Sequence, residues 1–101
     1  MNTDRVLIVG AGGLGVPAAL SSARHGVRRI GIIDPDPVEL SNLARQVIYR
    51  DRDIGAPKVA AMARKLRESF ADVEVETYAF ALDAGNAASI IGNFGFVIDA
   101  T

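Results

Sequence analysis

The stretch that decides the fold is Val6-Leu7-Ile8-Val9, followed at once by Gly10-Ala11-Gly12-Gly13-Leu14-Gly15. Four consecutive apolar residues are typical of a buried strand, and a G-x-G-x-x-G turn directly behind them is typical of the step from such a strand into a helix. The first glycine allows a tight turn, the second lets the backbone approach a ligand, and the third lets helix and strand pack closely. We therefore predict a phosphate-binding βα unit, because the N-terminus of the following helix offers unpaired N–H groups to an anion.

An Ala-rich segment follows the glycine turn and predicts a helix over residues 16–25, which Gly26 would end. A second strand is predicted over residues 29–34. It cannot continue as an inner strand, because prolines at positions 35 and 37 lack the N–H group that a sheet requires.

A polar loop is predicted over residues 35–56, with one helical turn over 39–44. An amphipathic helix is then predicted from Pro57 onward. Its apolar residues follow the i, i+3, i+4, i+7 spacing of one buried stripe: Val59, Met62, Ala63, Leu66 and Phe70. Arg64 and Glu68 lie one turn apart on the other side of this helix.

Strand three is predicted over residues 73–80, and its polar alternation places it at an edge of the sheet. A short helix over 87–91 and a fourth strand over 96–100 complete the pattern. Right-handed crossovers then give the strand order 3-2-1-4. We predict one domain, residues 1–101, with a Rossmann-like, doubly wound α/β fold and a mostly parallel sheet truncated after its fourth strand. A ligand is expected between strands one and four, where the chain reverses direction.

The composition excludes several classes of protein. Half of the 101 residues are hydrophobic, which excludes disorder. The chain has no cysteine, so these residues hold no disulfide, thiolate zinc site or cysteine nucleophile. A formal net charge of −1 argues against nucleic acid held by bulk electrostatics, although it leaves room for a local basic patch. No apolar run approaches the roughly 18–20 residues of a membrane helix, and no signal peptide is recognisable. We therefore expect no membrane partner, no direct nucleic-acid partner and a cytoplasmic location.

Asp34 is the second informative residue, because it follows Gly15 by 19 positions, at the end of the second strand. A carboxylate there can accept two hydrogen bonds from ribose hydroxyls, which selects a nucleotide with a free 2′-OH. It can also cap the Asp-Pro turn, and the two roles are compatible. The glycine turn and Asp34 together leave NAD and an adenine nucleotide as equal alternatives.

The loop after strand two favours transfer chemistry over NAD chemistry. It concentrates polar and cationic side chains beside the expected phosphate site: Asp36, Asn42, Arg45, Gln46, Arg50, Arg52 and, just inside the next helix, Lys58. Cations near a polyphosphate neutralise the charge that develops when a phosphorus–oxygen bond breaks. For any single one of them, a solvated surface charge is the simpler explanation.

Five segments in order resemble the ThiF/MoeB/HesA family, the prokaryotic relatives of ubiquitin-activating enzymes. They are Gly10-Ala11-Gly12-Gly13-Leu14-Gly15, Asp34-Pro35-Asp36, Ser41-Asn42-Leu43-Ala44-Arg45-Gln46, Gly55-Ala56-Pro57-Lys58 and Asp99-Ala100-Thr101. The most specific pieces are the doubled glycine before Leu14, the S-N-L-x-R-Q string and the Gly-x-Pro-Lys entry to the helix.

The resemblance implies ATP-dependent adenylation of the C-terminal glycine carboxylate of a small ubiquitin-like or sulfur-carrier protein, with release of pyrophosphate. It implies that Asp34 holds the ribose and that Asn42, Arg45 and Lys58 contact the phosphates, with Arg45 and Lys58 as the catalytic residues. Gln46 has a supporting role, and the remaining nucleotide-binding residues are Gly10, Gly12, Gly13, Gly15 and Asp36.

The resemblance also implies a homodimer and Mg²⁺, which an Asp directly after the strand-four Thr would position at number 102. Asp99 is expected to be a poor substitute for it. Two alternatives stay open: a NAD-binding oxidoreductase domain, and a non-catalytic nucleotide-binding or dimerisation fragment. Strand four is further expected to leave an apolar edge that invites association.

Overall fold

The computed structural model describes residues 5–12, 14–39 and 54–101, and within these ranges four parallel strands form one sheet. The strands are β1 (Arg5–Val9), β2 (Arg29–Ile33), β3 (Glu74–Tyr78) and β4 (Phe96–Asp99). Their order is β3-β2-β1-β4, which confirms the predicted order. In the register, Leu7 of β1 lies beside Gly31 of β2 and Val97 of β4.

Helices cover both faces of this sheet, which confirms the doubly wound arrangement. They are α1 (Gly15–Arg24), α2 (Lys58–Ser69) and α3 (Ala87–Ile91). Each lies within about one residue of its predicted bounds. Not one helix among the described residues is long and apolar enough to cross a membrane.

The larger core lies between the sheet and the helices α1 and α2. Alternate residues of the inner strands point into it: Val6, Ile8, Ile30 and Ile32. The predicted stripe of α2 meets them, with Val59, Met62 and Leu66 at most 1% exposed and Phe70 partly buried. On the other side of α2, Arg64 Nε lies 3.5 Å from Glu68 Oε1, as the spacing of the two residues predicts.

On the second face, the aromatic ring of Phe94 lies directly over Gly31. A Cβ at Gly31 would overlap the Phe94 ring, lying 2.8 Å from its Cε1, and would press against Leu7 Cδ1 at 3.1 Å. The Arg5 guanidinium lies 5.6 Å from the centroid of the same ring and 3.1 Å from Glu76 Oε1 on β3. A glycine in this inner strand thus leaves space for the ring of Phe94 on the face that the short α3 covers.

The two outer strands of the sheet are β3 and β4. The prediction that β3 lies at an edge is confirmed. At the opposite edge, β4 leaves Phe96 54% and Val97 42% exposed, which confirms the predicted apolar edge.

The first and last residues of the loop after β2 form backbone bridges with each other. Isolated bridges join Pro37 to Pro57 and Val38 to Ile54, so these ends are more ordered than the sequence predicts. Most of the helical turn predicted over 39–44 lies outside the described residues.

Candidate functional site

A cavity of about 380 Å³ opens at the carboxyl ends of the strands, at the switch point predicted for a ligand. It is lined by Gly10, Gly12, Asp34, Pro35, Asp36, Lys58, Ala100 and Thr101. A second cavity of about 180 Å³ adjoins it, sharing Gly10, Asp34, Pro35 and Thr101, and is otherwise apolar, with Val9, Ile33, Ala81 and Leu82 in its wall. A polar chamber next to an apolar one suits a ligand with both phosphate and aromatic parts.

The glycine turn forms one wall, and two of its glycines are dictated by the geometry. Gly10 has a φ of +107°, and a Cβ there would lie 2.9 Å from the Ala100 carbonyl oxygen. A Cβ at Gly15 would overlap the carbonyl of Gly10, so that any side chain would force α1 away from β1. Gly12 has open space around it and faces the cavity, as expected for the residue that a ligand approaches.

Asp34 lies at the floor of the cavity and is only 8% exposed. Its Oδ2 accepts a hydrogen bond from the Ala11 N–H at 2.8 Å, and its Oδ1 accepts one from the Asp36 N–H at 2.7 Å. The second bond shows that the turn-capping role is real. Since each carboxylate oxygen can accept more than one hydrogen bond, the capping role leaves capacity for ribose hydroxyls.

Lys58 begins α2, lines the cavity and is partly exposed. Its backbone N–H donates to the Asp36 carbonyl at 3.0 Å. Three hydrogen bonds therefore run in series from the glycine turn at Ala11, through Asp34 and Asp36, to Lys58. The cavity therefore has one lysine and two aspartates in its lining, a combination that can bind a phosphate through the ammonium and hydroxyl groups through a carboxylate.

The structure thus brings together five of the predicted site residues, namely Gly10, Gly12, Asp34, Asp36 and Lys58, with Gly15 packed against Gly10. Gly13, Asn42, Arg45 and Gln46 lie outside the described residues, so their roles stay predictions.

Sequence reasoning did not assign a site role to Ala11, Ala100 or Thr101. Ala11 contributes a backbone N–H, which no side-chain pattern reveals. Ala100 and Thr101 follow β4 directly, and β4 lies next to β1. Their position at the carboxyl end of that strand could have identified them as site residues.

The Asp99 carboxylate is already engaged by Thr101. Its Oδ1 accepts hydrogen bonds from the Thr101 hydroxyl at 2.6 Å and from the Thr101 N–H at 3.2 Å, and these bonds lower the pKa of Asp99. Over the part of the chain that the structure describes, no three His, Cys, Asp or Glu residues form a group that could hold a metal ion.

The ThiF family model matches residues 1–101. Over 96 residues the chain is 45% identical to the adenylyltransferase and sulfurtransferase MOCS3 of Arabidopsis thaliana, a match that covers 95% of this chain and 21% of that protein. It is 42% identical over 96 residues to the sulfur carrier protein adenylyltransferase of Thermus thermophilus, covering 95% of this chain and 35% of that protein.

Among solved structures, the chain is similar to E. coli tRNA N6-threonylcarbamoyladenosine dehydratase, TcdA, in complex with ATP. The TM-score is 0.87 and the identity 31%, over 96% of this chain and 40% of that one. The chain therefore spans less than half the length of each of these relatives.

Proposed function

Because the chain belongs to the ThiF family, we propose that it supplies the nucleotide-binding part of an adenylyltransferase. In this proposal, ATP activates the C-terminal glycine carboxylate of a small ubiquitin-like or sulfur-carrier protein. Relatives named as adenylyltransferases and a similar structure solved with ATP support this proposal over NAD chemistry.

The single observation that carries the proposal is the buried Asp34 carboxylate between the glycine turn and Lys58 in one cavity. Asp34 would accept hydrogen bonds from the ribose hydroxyls while keeping its bonds to the backbone. The open face of Gly12 would lie against the phosphates, and the adjoining apolar cavity is the space for the base.

In the reaction, one oxygen of the acceptor carboxylate forms a bond to the α-phosphorus, and the bond from that phosphorus to the bridging oxygen of the β-phosphate breaks. The acyl-adenylate and pyrophosphate are the products. The carboxylate is itself the nucleophile, so the protein's task is to align it and to stabilise charge. Lys58 would neutralise negative charge that builds up on the leaving pyrophosphate.

We propose Asn42 and Arg45 as phosphate contacts from the family motif alone, and Arg45 shares the proposed catalytic role of Lys58. Mg²⁺ would offset phosphate charge when it arrives with ATP. The described residues do not fit a metal site, because no three His, Cys, Asp or Glu side chains among them form a group that could hold a metal ion. A homodimer and a cytoplasmic location stay predictions.

Pyrophosphate exchange tests the proposal. An adenylyltransferase that contains this chain should exchange labelled pyrophosphate into ATP only when a carrier protein with a free C-terminal glycine carboxylate is present, and not with the same carrier carrying a C-terminal amide. The 101-residue chain alone should bind ATP weakly and show no exchange. Thermal stabilisation of the longer protein by ATP but not by NAD should accompany the exchange. Stabilisation by NAD alone would favour the oxidoreductase alternative, whereas ATP binding without exchange in the longer protein would favour the non-catalytic one.

A further inference from the structure

Two short segments on either side of the long loop pair with each other beside the cavity. The Val38 N–H donates to the Ala56 carbonyl at 2.8 Å, and the Val38 carbonyl accepts from the Gly55 N–H at 2.9 Å. The Lys58 N–H donates to the Asp36 carbonyl at 3.0 Å. We call residues 36–38 and 54–58 the clamp, because these bonds hold the start of α2 against the turn that follows β2.

The side chain of Val38 fixes the clamp to the body of the protein. It is 1% exposed and belongs to the buried cluster that α1 and α2 form with the sheet. Its neighbours in the clamp, Pro37 and Gly55, are exposed. Among residues 36–38 and 54–58, Val38 is the one whose side chain is buried, so it anchors the clamp in the core while binding no ligand itself.

Gly55, in the second segment of the clamp, has the backbone conformation that the pairing with Val38 requires. Its φ of +87° lies in the left-handed region, which non-glycine residues adopt only at a cost. A Cβ there would meet no atom within 4 Å, so the need for glycine comes from the backbone and not from crowding. A substitution at Gly55 would strain the clamp without removing any buried volume.

We propose that Val38 is a positioning residue, which acts through the clamp to hold Lys58 in the cavity that Asp34 also lines. This inference rests on the proposed function, because it matters only if Lys58 contacts phosphate. Small displacements of a charged group weaken a phosphate contact strongly, and a lysine side chain has enough freedom to leave its place when its backbone shifts. The Val38 methyl groups would then affect ATP binding without lying next to ATP.

A double-mutant cycle on ATP affinity, measured by calorimetry, tests this inference. Lys58→Ala should weaken ATP binding about tenfold, and Val38→Ala should weaken it about threefold or more, while AMP binding changes little in either. Because Val38 acts through Lys58, the double variant should bind ATP no more weakly than Lys58→Ala alone.

Val6→Ala is the matched control, since Val6 is also buried, in the same core, but at the amino end of β1. It should lose comparable stability and keep its ATP affinity. If Val38→Ala does not fold, Gly55→Ala takes its place in the cycle, because it strains the clamp from an exposed position.

The outcomes separate the inference from its premise. If the parent protein binds neither ATP nor AMP, the proposed function fails. If it binds ATP but Lys58→Ala changes nothing, the phosphate role of Lys58 and the positioning role of Val38 are both overturned. If Lys58→Ala weakens ATP binding but the Val38 and Gly55 variants do not, the positioning role is overturned. Equal losses for ATP and AMP, or additive losses in the double variant, would also overturn it and assign Val38 to stability alone.

Discussion

The backbone N–H of Ala11 donates a 2.8 Å hydrogen bond to Oδ2 of Asp34, 23 positions later in the chain. This bond holds the glycine turn against the end of β2. Because Asp34 also accepts from the Asp36 N–H, the carboxylate proposed to recognise ribose is at the same time part of what holds the cavity together. A substitution at Asp34 is therefore expected to change both the stability of the fold and the affinity for nucleotide.

Asp34→Ala should therefore reduce both stability and nucleotide affinity. It removes the acceptor of two backbone N–H groups, each worth about 1–3 kcal/mol where burial prevents water from replacing it. ATP affinity should fall about tenfold or more with the loss of the ribose bonds. Urea unfolding and calorimetric titration measure the two effects.

Asp34→Asn is the control that separates the effect on stability from the effect on nucleotide affinity, because its amide oxygen can still accept one backbone N–H. It should unfold at a urea concentration between those of the parent and Asp34→Ala. ATP binding unaffected in a folded Asp34 variant would remove this residue from the site.

Lys58→Ala should lower ATP affinity about tenfold and leave AMP affinity unchanged, since AMP lacks the β- and γ-phosphates. Lys65→Ala is the control, because Lys65 lies two turns further along the same face of α2 and outside the cavity. The same loss for AMP and ATP would show that Lys58 serves the structure of the cavity and not the phosphates. Arg45→Ala is expected to behave as Lys58→Ala does.

Gly31→Ala should destabilise the fold by about 1–3 kcal/mol, because the added methyl group would push Phe94 and Leu7 off the second face. The double variant Gly31→Ala with Phe94→Leu should recover part of the loss by giving the methyl group room. Urea unfolding of the three proteins checks this. Equal stability of Gly31→Ala and the parent would mean that the ring moves aside freely.

The order of elements and the strand order could be predicted from the sequence, because both follow from local patterns. The apolar run before the glycine turn, the prolines that end β2 and the stripe of α2 each act over a few neighbouring residues. The positions of Gly10, Gly12 and Asp34 in the cavity follow from the same patterns, since strand ends in a parallel sheet meet at one edge.

Other features depend on contacts between distant residues, which one sequence does not reveal. The sequence around Gly31 does not predict that the ring of Phe94, 63 positions later, packs on this glycine. The bond from Ala11 to Asp34 uses a backbone N–H, which every residue type except proline has. The pairing of Val38 with Ala56 joins the two ends of a long loop, and neither the length nor the composition of that loop predicts the pairing.

Tyr78 gives a prediction about pH. Partial burial, and then the hydrogen bond to Glu76 Oε2 at 2.8 Å, raises the pKa of Tyr78 above its usual 10.0. The folded protein then holds the phenolic proton more tightly than the unfolded chain does. The resulting stability is fully present below pH 10 and is lost as pH rises from there through the folded pKa.

The unfolding free energy of Tyr78→Phe should therefore fall less steeply above pH 10 than that of the parent. Glu76→Gln should bring the phenol pKa closer to 10, as followed by tyrosinate absorbance, because it removes the negative charge beside the hydroxyl. Parallel stability profiles for Tyr78→Phe and the parent would contradict the shift.

Self-association through β4 is the last prediction, and it starts from the exposed side chains of Phe96 and Val97 on an outer strand. Unpaired backbone groups on an apolar outer strand favour pairing with another chain, and lysine on such a strand opposes it. The 101-residue chain should therefore associate, and Val97→Lys should weaken that association, as measured by sedimentation equilibrium. Thr77→Lys, on the exposed surface of β3 at the opposite edge, is the control and should associate like the parent. A monomeric parent chain, or the same loss of association in both lysine variants, would show that β4 is not the contact surface.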